Sequence, residues 1–168
     1  LYVGISSYDA DLTRRAADLL RAERIHLLIH QPVFNLFDRW VEHGLSDVLQ
    51  HEGIGCIPFS PLAQGLLAGR YNSGIDPESR AGKPDGFLRP EHITEKKLRR
   101  IRALAEIATA RGQSLAQMSI AWLLAKPFVT SVLIGASRWS QIEDNLGALP
   151  NTSFSGDELA AIDKACDL

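Results

Sequence analysis

Residues 129–138, Val129-Thr130-Ser131-Val132-Leu133-Ile134-Gly135-Ala136-Ser137-Arg138, join an apolar β-like run to the start of a helix through three small residues. This is the local form of a βα unit. Working outward, three further runs of the same kind are found at Leu1–Ser6, Ile25–His30 and Gly55–Phe59. Helix-period segments separate them. Leu12, Ala16, Leu19 and Leu20 follow the first run, with Asp9 or Asp11 placed to cap the helix. Val41, Leu45, Val48 and Leu49 follow the second and end at Gly53. Gly44 and Ser46 predict a break within that segment. Strands alternating with helices predict an α/β fold with a parallel sheet, in the manner of a barrel or a doubly wound sheet.

The third run leads into a long Gly- and Pro-rich stretch from Ser60 to about Ile93, with a polar centre at Ser73–Pro84. A connection of that length in a compact domain is usually functional. Beyond it, Thr94–Arg111 carries Leu98, Ile101, Leu104, Ala105 and Ala108 on one face, and Gly112 ends it. Ser114 with Gln117, Ser140 with Glu143 and Ser155 with Glu158 each have the spacing of a capping box. The first box opens a helix with Leu115, Met118, Ala121, Trp122 and Leu124. The second opens one with Ile142, Leu146 and Leu149 at i, i+4, i+7.

Composition narrows the function classes. The chain has 168 residues, 45% hydrophobic and 23% charged, which excludes disorder and suits one globular unit. Eighteen Lys+Arg against twenty Asp+Glu leave no basic excess for nucleic acid. No apolar run approaches the roughly 20 residues of a membrane span. Cys56 and Cys166 fit neither a disulfide framework nor a metal site, so a reducing, cytoplasmic setting is expected. Leu1 already stands in a strand-like run, which reads as the start of a fragment.

Ligand-facing residues of parallel α/β folds lie at the C-terminal ends of strands. Here those ends are Ser6-Ser7-Tyr8, His30-Gln31-Pro32, Phe59-Ser60-Pro61-Leu62 and Gly135-Ala136-Ser137-Arg138. The last suits a phosphate: small residues allow close approach, the helix start offers N–H groups, and Arg138 adds a planar fork. It reads equally as a tight turn with a solvated Arg138. Arg70, Arg80 and Lys83 in the long loop form a possible second wall. The Gln31 amide suits a carboxamide or carbonyl, or else it satisfies loop backbone groups. Phe59 could stack on a planar ring or pack in the core. Tyr8 and Tyr71 lack a Lys or His placed to tune them and read as packing residues. His26 and His30 are structural, His43 and His51 exposed, and Arg99-Arg100-Arg102 a solvated face. Neither a nucleophile elbow nor a P-loop nor a Gly-x-Gly-x-x-Gly fingerprint is present.

Three segments together carry a family resemblance. They are Leu28-Ile29-His30-Gln31-Pro32-Val33-Phe34-Asn35, the stretch Pro58-Phe59-Ser60-Pro61-Leu62-Ala63-Gln64-Gly65-Leu66-Leu67-Ala68-Gly69-Arg70-Tyr71, and Val132–Arg138 with Gln141, Asp144 and Asn145. In order and spacing the chain resembles the aldo-keto reductase superfamily, most nearly its bacterial L-glyceraldehyde 3-phosphate reductases, themselves similar to potassium-channel β subunits. The resemblance implies a (β/α)8 TIM barrel binding NADPH. Residues 1–168 would be its C-terminal half, strands five to eight, with the N-terminal half absent. It implies that Ser6 and Gln31 hold the nicotinamide carboxamide and that Phe59 stacks on the ring. Ser60, Leu62, Gly65 and Arg70 would line the pyrophosphate. Gly135, Ser137 and Arg138 would meet the 2′-phosphate, and Gln141 and Asn145 the adenine-ribose end. Asp144 stands where relatives carry Glu, and Ser7 where other branches carry Asn or Arg. Arg80 falls in the loop that relatives fold over the cofactor.

The family's catalytic Asp, Tyr, Lys and His have no match here, so no catalytic residue is assigned. The expected function of the complete protein is reduction of an aldehyde such as a triose phosphate to an alcohol, with a homo-oligomer as a possible state. A non-catalytic NADP-binding redox sensor and a self-standing α/β phosphate binder are the competing readings. Half a barrel leaves open strand edges, so the segment alone is expected to dimerise, swap or aggregate.

Overall fold

A computed structural model describes residues 2–69 and 93–168. Arg70, Tyr71, Arg80, Lys83 and the loop centre Ser73–Pro84 lie outside the described residues. The chain divides into two compact units, Leu1–Pro61 with Leu123–Gly135, and Leu62–Trp122 with Ala136–Leu168.

The first unit is built on three parallel strands in the order β1 (Val3–Ser6), β2 (Leu27–Gln31), β3 (Gly55–Cys56). Helix α1 (Ala10–Ala22) connects β1 to β2. A 3-10 turn at Trp40–Glu42 and helix α2 (Leu45–Glu52) connect β2 to β3. The break expected at Gly44 is there: Gly44 and Gly53, at φ +95° and +66°, bracket α2 in the left-handed conformation that glycine adopts without strain. Gly55 stands instead at a close approach. A Cβ on it would stand 3.0 Å from Thr130 Oγ1 and 3.5 Å from the Leu28 carbonyl. Phe34, Leu36, Val41, Leu45, Leu49 and Cys56 form the buried interior, with Phe128 tilted against Phe34 at 5.7 Å.

Two sequence expectations are corrected here. The run Val129–Ile134 lies along β3 but makes only one bridge, Cys56 with Val129, rather than a fourth strand. Thr130 N donates to the Cys56 carbonyl at 2.8 Å. The N–H at position 58 would return the next bond of a parallel ladder, and Pro58 has none. Ser131 N shares the Cys56 carbonyl at 3.4 Å, and the next oxygen along β3's chain to be reached is Pro58 O, from Leu133 N at 2.9 Å, so three residues on one side face two on the other. In α1, Asp9 caps the helix by accepting from Leu12 N at 2.8 Å. That register turns Thr13 and Ala17 inward and leaves Leu12 and Leu19 exposed, 44% and 70%.

The second unit is helical: a 3-10 turn at Ala63–Ala68, then α3 (Glu95–Ala110), α4 (Leu115–Leu124), α5 (Trp139–Leu146), a 3-10 turn at Leu149–Asn151, and α6 (Gly156–Asp167). Ile101, Leu104 and Ala108 of α3 are buried, as are Ile162 and Ala165 of α6. The boxes at Ser114 and Ser155 form with both reciprocal bonds. The one at Ser140 does not. Helix α5 starts at Trp139 behind Arg138, and Gln141 Oε1 instead accepts from Ser137 N at 2.8 Å. Nor does the stripe Ile142, Leu146, Leu149 run on one helix. Pro150 has no N–H for the Leu146 carbonyl, α5 stops, and Leu146 and Leu149 are exposed while Asn145 and Ala148 are buried.

Candidate functional site

In the first unit the parallel sheet gathers the ends of its strands. Ser6 and Gln31 are register partners on β1 and β2. Ser6 Oγ donates to the Gln31 carbonyl at 2.7 Å, and Ser7 N donates to the same oxygen at 3.2 Å. Ser7 there takes φ +58°, a left-handed backbone rare for a residue with a Cβ. The Gln31 main chain thus secures the turn. Its half-buried side-chain amide bonds to no described residue, leaving a donor and an acceptor for a ligand.

His30, fully buried beside Gln31, fastens the same turn with its ring. Nε2 lies 3.0 Å from the Tyr8 carbonyl. A carbonyl only accepts, so Nε2 carries the proton. Nδ1 is buried without a partner among the described residues. Burial lowers the His30 pKa, and the bond to Tyr8 offsets this only in part. The imidazole is therefore a neutral structural group. Tyr8, read from sequence as a packing residue, is instead 41% exposed, because only its main chain is held.

Phe59 N donates to the Pro32 carbonyl at 2.9 Å, and Val33 bridges Phe59, so the third strand end is locked to the loop after β2. From here the backbone is unusual. Ser60, Ala63 and Gln64 take φ of +54°, +46° and +59°, and Gly65 takes +100°. Each left-handed non-glycine costs roughly 1–2 kcal/mol, and such residues cluster where a loop is shaped for a ligand. Leu62 anchors the curl, its carbonyl accepting from Gly65 N at 2.9 Å and Leu67 N at 3.1 Å. Sequence reasoning gave Asn35 no role. It is 3% exposed, and its Nδ2 donates to the Ser60 carbonyl at 3.0 Å. The local signal was the spacing Asn35…Asp38, which suits a side-chain-capped turn.

In the second unit, Ser137, Arg138, Gln141 and Asn145 sit at or within α5. Arg138 is the N-cap residue, with extended backbone and no capping side chain. Its exposed guanidinium bonds to no described residue. Ser137 N is occupied by Gln141 Oε1, which also receives Ser137 Oγ at 3.3 Å. Asn145 is 7% exposed. Asp144 faces α4, where Gln117 Nε2 donates to its Oδ1 at 2.9 Å. Gly135 is exposed, with open space where a Cβ would stand. Among the described residues no His, Cys, Asp or Glu cluster could hold a metal, and no helix is long and apolar enough to cross a membrane.

Comparison with known proteins gives this arrangement a lineage. The chain is 53% identical over 168 residues to an L-glyceraldehyde 3-phosphate reductase of Escherichia coli K12, covering 98% of this chain and 49% of that protein. It is 52% identical to the protein of the same description in E. coli O157:H7, with the same coverage. It is 34% identical over 152 residues to a probable voltage-gated potassium channel subunit beta of Arabidopsis thaliana, covering 88% and 46%. The chain spans about half the length of these curated relatives. The model of the aldo/keto reductase family, whose fold is the TIM barrel, matches residues 1–167. With parallel strands and a family match along nearly its whole length, the chain belongs to the aldo/keto reductase family.

Proposed function

We propose that the protein carrying this chain is an NADPH-dependent reductase that converts a small aldehyde, of the triose phosphate class, to an alcohol. Residues 1–168 would be the C-terminal half of its (β/α)8 barrel and would supply most of the cofactor cradle. The observation that carries this reading is the unengaged Gln31 amide beside Ser6 at adjoining ends of parallel strands. A carboxamide needs one donor and one acceptor in a plane, and the Gln31 amide offers both.

The other residues fit the same ligand. Phe59 presents a half-buried ring, suited to a flat heterocycle. Ser60, Leu62 and Gly65 lie on a curled backbone suited to a pyrophosphate, with Arg70 beyond them in sequence. Arg138, exposed at the start of α5, would take a 2′-phosphate, with Gly135 and Ser137 leaving room for it. Gln141 and Asn145 would serve the adenine-ribose end.

When bound, the dinucleotide would supply hydride to the carbonyl carbon. The work of these residues is to bind and orient. Gln31 and Ser6 would fix the rotation of the carboxamide, and so the face of the ring offered to substrate. The proton for the carbonyl oxygen is assigned to no residue of this chain. A reductase is favoured over a binding-only module by the higher identity to the reductases, 53% against 34%. The deciding experiment mixes the protein with NADPH and glyceraldehyde 3-phosphate and follows nicotinamide absorbance. Oxidation of NADPH supports the reading. Tight binding without turnover on any short aldehyde would replace it with the binding module.

A further inference from the structure

Asn35 lies in the loop after β2, outside the cradle described above, yet it is among the most heavily bonded side chains of the first unit. Its Oδ1 accepts from Phe37 N at 2.9 Å and Asp38 N at 3.0 Å, closing the turn that its own main chain shares with Asp38. Its Nδ2 crosses 25 residues of sequence to donate to the Ser60 carbonyl. The Oδ1 bonds suffice for the turn; the Nδ2 bond does something else. It holds the peptide oxygen of a residue in the left-handed region at φ +54°. The preceding residue, Phe59, is held by the Pro32 carbonyl. The Phe59–Ser60 segment is therefore gripped on both sides, by main chain before it and by one buried amide after it.

We propose that Asn35 is a positioning residue for the cofactor site. By holding the Ser60 carbonyl, it sets the turn that aims the Phe59 ring and the Ser60 hydroxyl at the dinucleotide. The proposal rests on the cofactor reading given above. It does not require Asn35 to touch the ligand. A side chain needed only for its local turn would be replaceable by any acceptor that caps Phe37 and Asp38. Asparagine is needed because one face must accept twice while the other donates to a carbonyl.

The test separates those two demands. Asn35→Asp keeps the acceptor for the turn and turns the donor into a second acceptor facing the Ser60 oxygen. In the protein carrying this chain, titration with NADPH followed by nicotinamide fluorescence should show a Kd weakened about tenfold. The KM for the aldehyde should stay within about twofold of wild type, because the effect enters through the cofactor. An Asn35→Asp protein that folds and binds NADPH as tightly as wild type overturns the proposal. Should that variant not fold, the wild type decides: with asparagine labelled, the Asn35 side-chain amide resonance should move on saturation with NADPH, and an unmoved resonance overturns it. A wild type that binds no NADPH is a separate outcome, which removes the cofactor reading and this proposal with it.

Discussion

Gln117 on α4 grips Asp144 on α5 twice, its Nε2 donating to Oδ1 at 2.9 Å and to the main-chain carbonyl at 3.0 Å. The other end of the same side chain accepts from Ser114 N at 3.0 Å and closes the cap of α4. Asp144 occupies a position where the family resemblance implied a glutamate. The shorter carboxylate is committed to the neighbouring helix. Asp144→Asn should therefore change NADPH affinity by less than about twofold, by fluorescence titration. Gln117→Ala should cost about 1–2 kcal/mol in urea denaturation, since it removes a cap and a clamp together.

Arg138 has the opposite character. It projects from the start of a helix with no partner among the described residues. If it serves a 2′-phosphate, the preference for NADPH over NADH depends on it. Arg138→Ala should reduce that preference by about tenfold or more, equivalent to roughly 1–3 kcal/mol for a lost charged hydrogen bond. The measurement is a pair of titrations, NADPH and NADH, on wild type and variant. An unchanged ratio removes Arg138 from the site.

What was legible in the sequence was what local spacing controls. The ends of β1 and β2, the break at Gly44 and the caps at Ser114 and Ser155 all depend on residues within a few positions of one another. The failures came from competing local bonds and from partners distant in sequence. Ser140 had the right spacing to Glu143, but Gln141 reaches back to Ser137 first and sets an earlier start for α5. The run Val129–Ile134 had strand character, but its neighbour carries a proline where the ladder needed an N–H. Leu12 and Leu19 had helical spacing, yet α1 buries Thr13 and Ala17. The Asn35 bond to Ser60 spans too much chain for any pattern to show it. At the strand ends, residue types could be read from the sequence, whereas the lack of a partner for the Gln31 amide among the described residues needed the structure.

Arg111, at the end of α3, holds the second unit together. Its side chain is 3% exposed and pairs with Glu158 at 2.5 Å. It also donates to the Ser153 carbonyl at 2.9 Å and to Asn151 Oδ1 at 3.2 Å, and it lies 3.7 Å over the Phe154 ring. Removing it takes a donor from the Glu158 carboxylate and from four oxygens, Gln113 Oε1, Asn151 O and Oδ1, and Ser153 O. Arg111→Ala should cost about 3 kcal/mol of unfolding free energy. Arg111→Lys should recover only part of this, because an ammonium cannot reproduce the planar fork. Urea denaturation of the three proteins measures both. Equal stability of all three would show that α3 and α6 are held by apolar contact alone.

Acid should act on the first unit through His30 before it acts on carboxylates. Burial lowers the His30 pKa below 6.5, so on acidification the unfolded chain takes up this proton while the native ring stays neutral. The unfolded state then binds more protons, and stability falls as pH drops from about 6.5 towards the native pKa. Glu42 acts in a lower window. Burial raises its pKa, but bonds to Arg39 and Lys126 outweigh this and leave it below 4.5. Its contribution is present above pH 4.5 and is lost as pH falls through the lowered native value. His30→Gln should flatten the slope of unfolding free energy just below about pH 6.5 and leave the lower window in place. Chemical denaturation at a series of pH values reads both slopes. An unchanged slope in the upper window would mean that His30 is protonated alike in native and unfolded chains, and that burial does not hold its ring neutral.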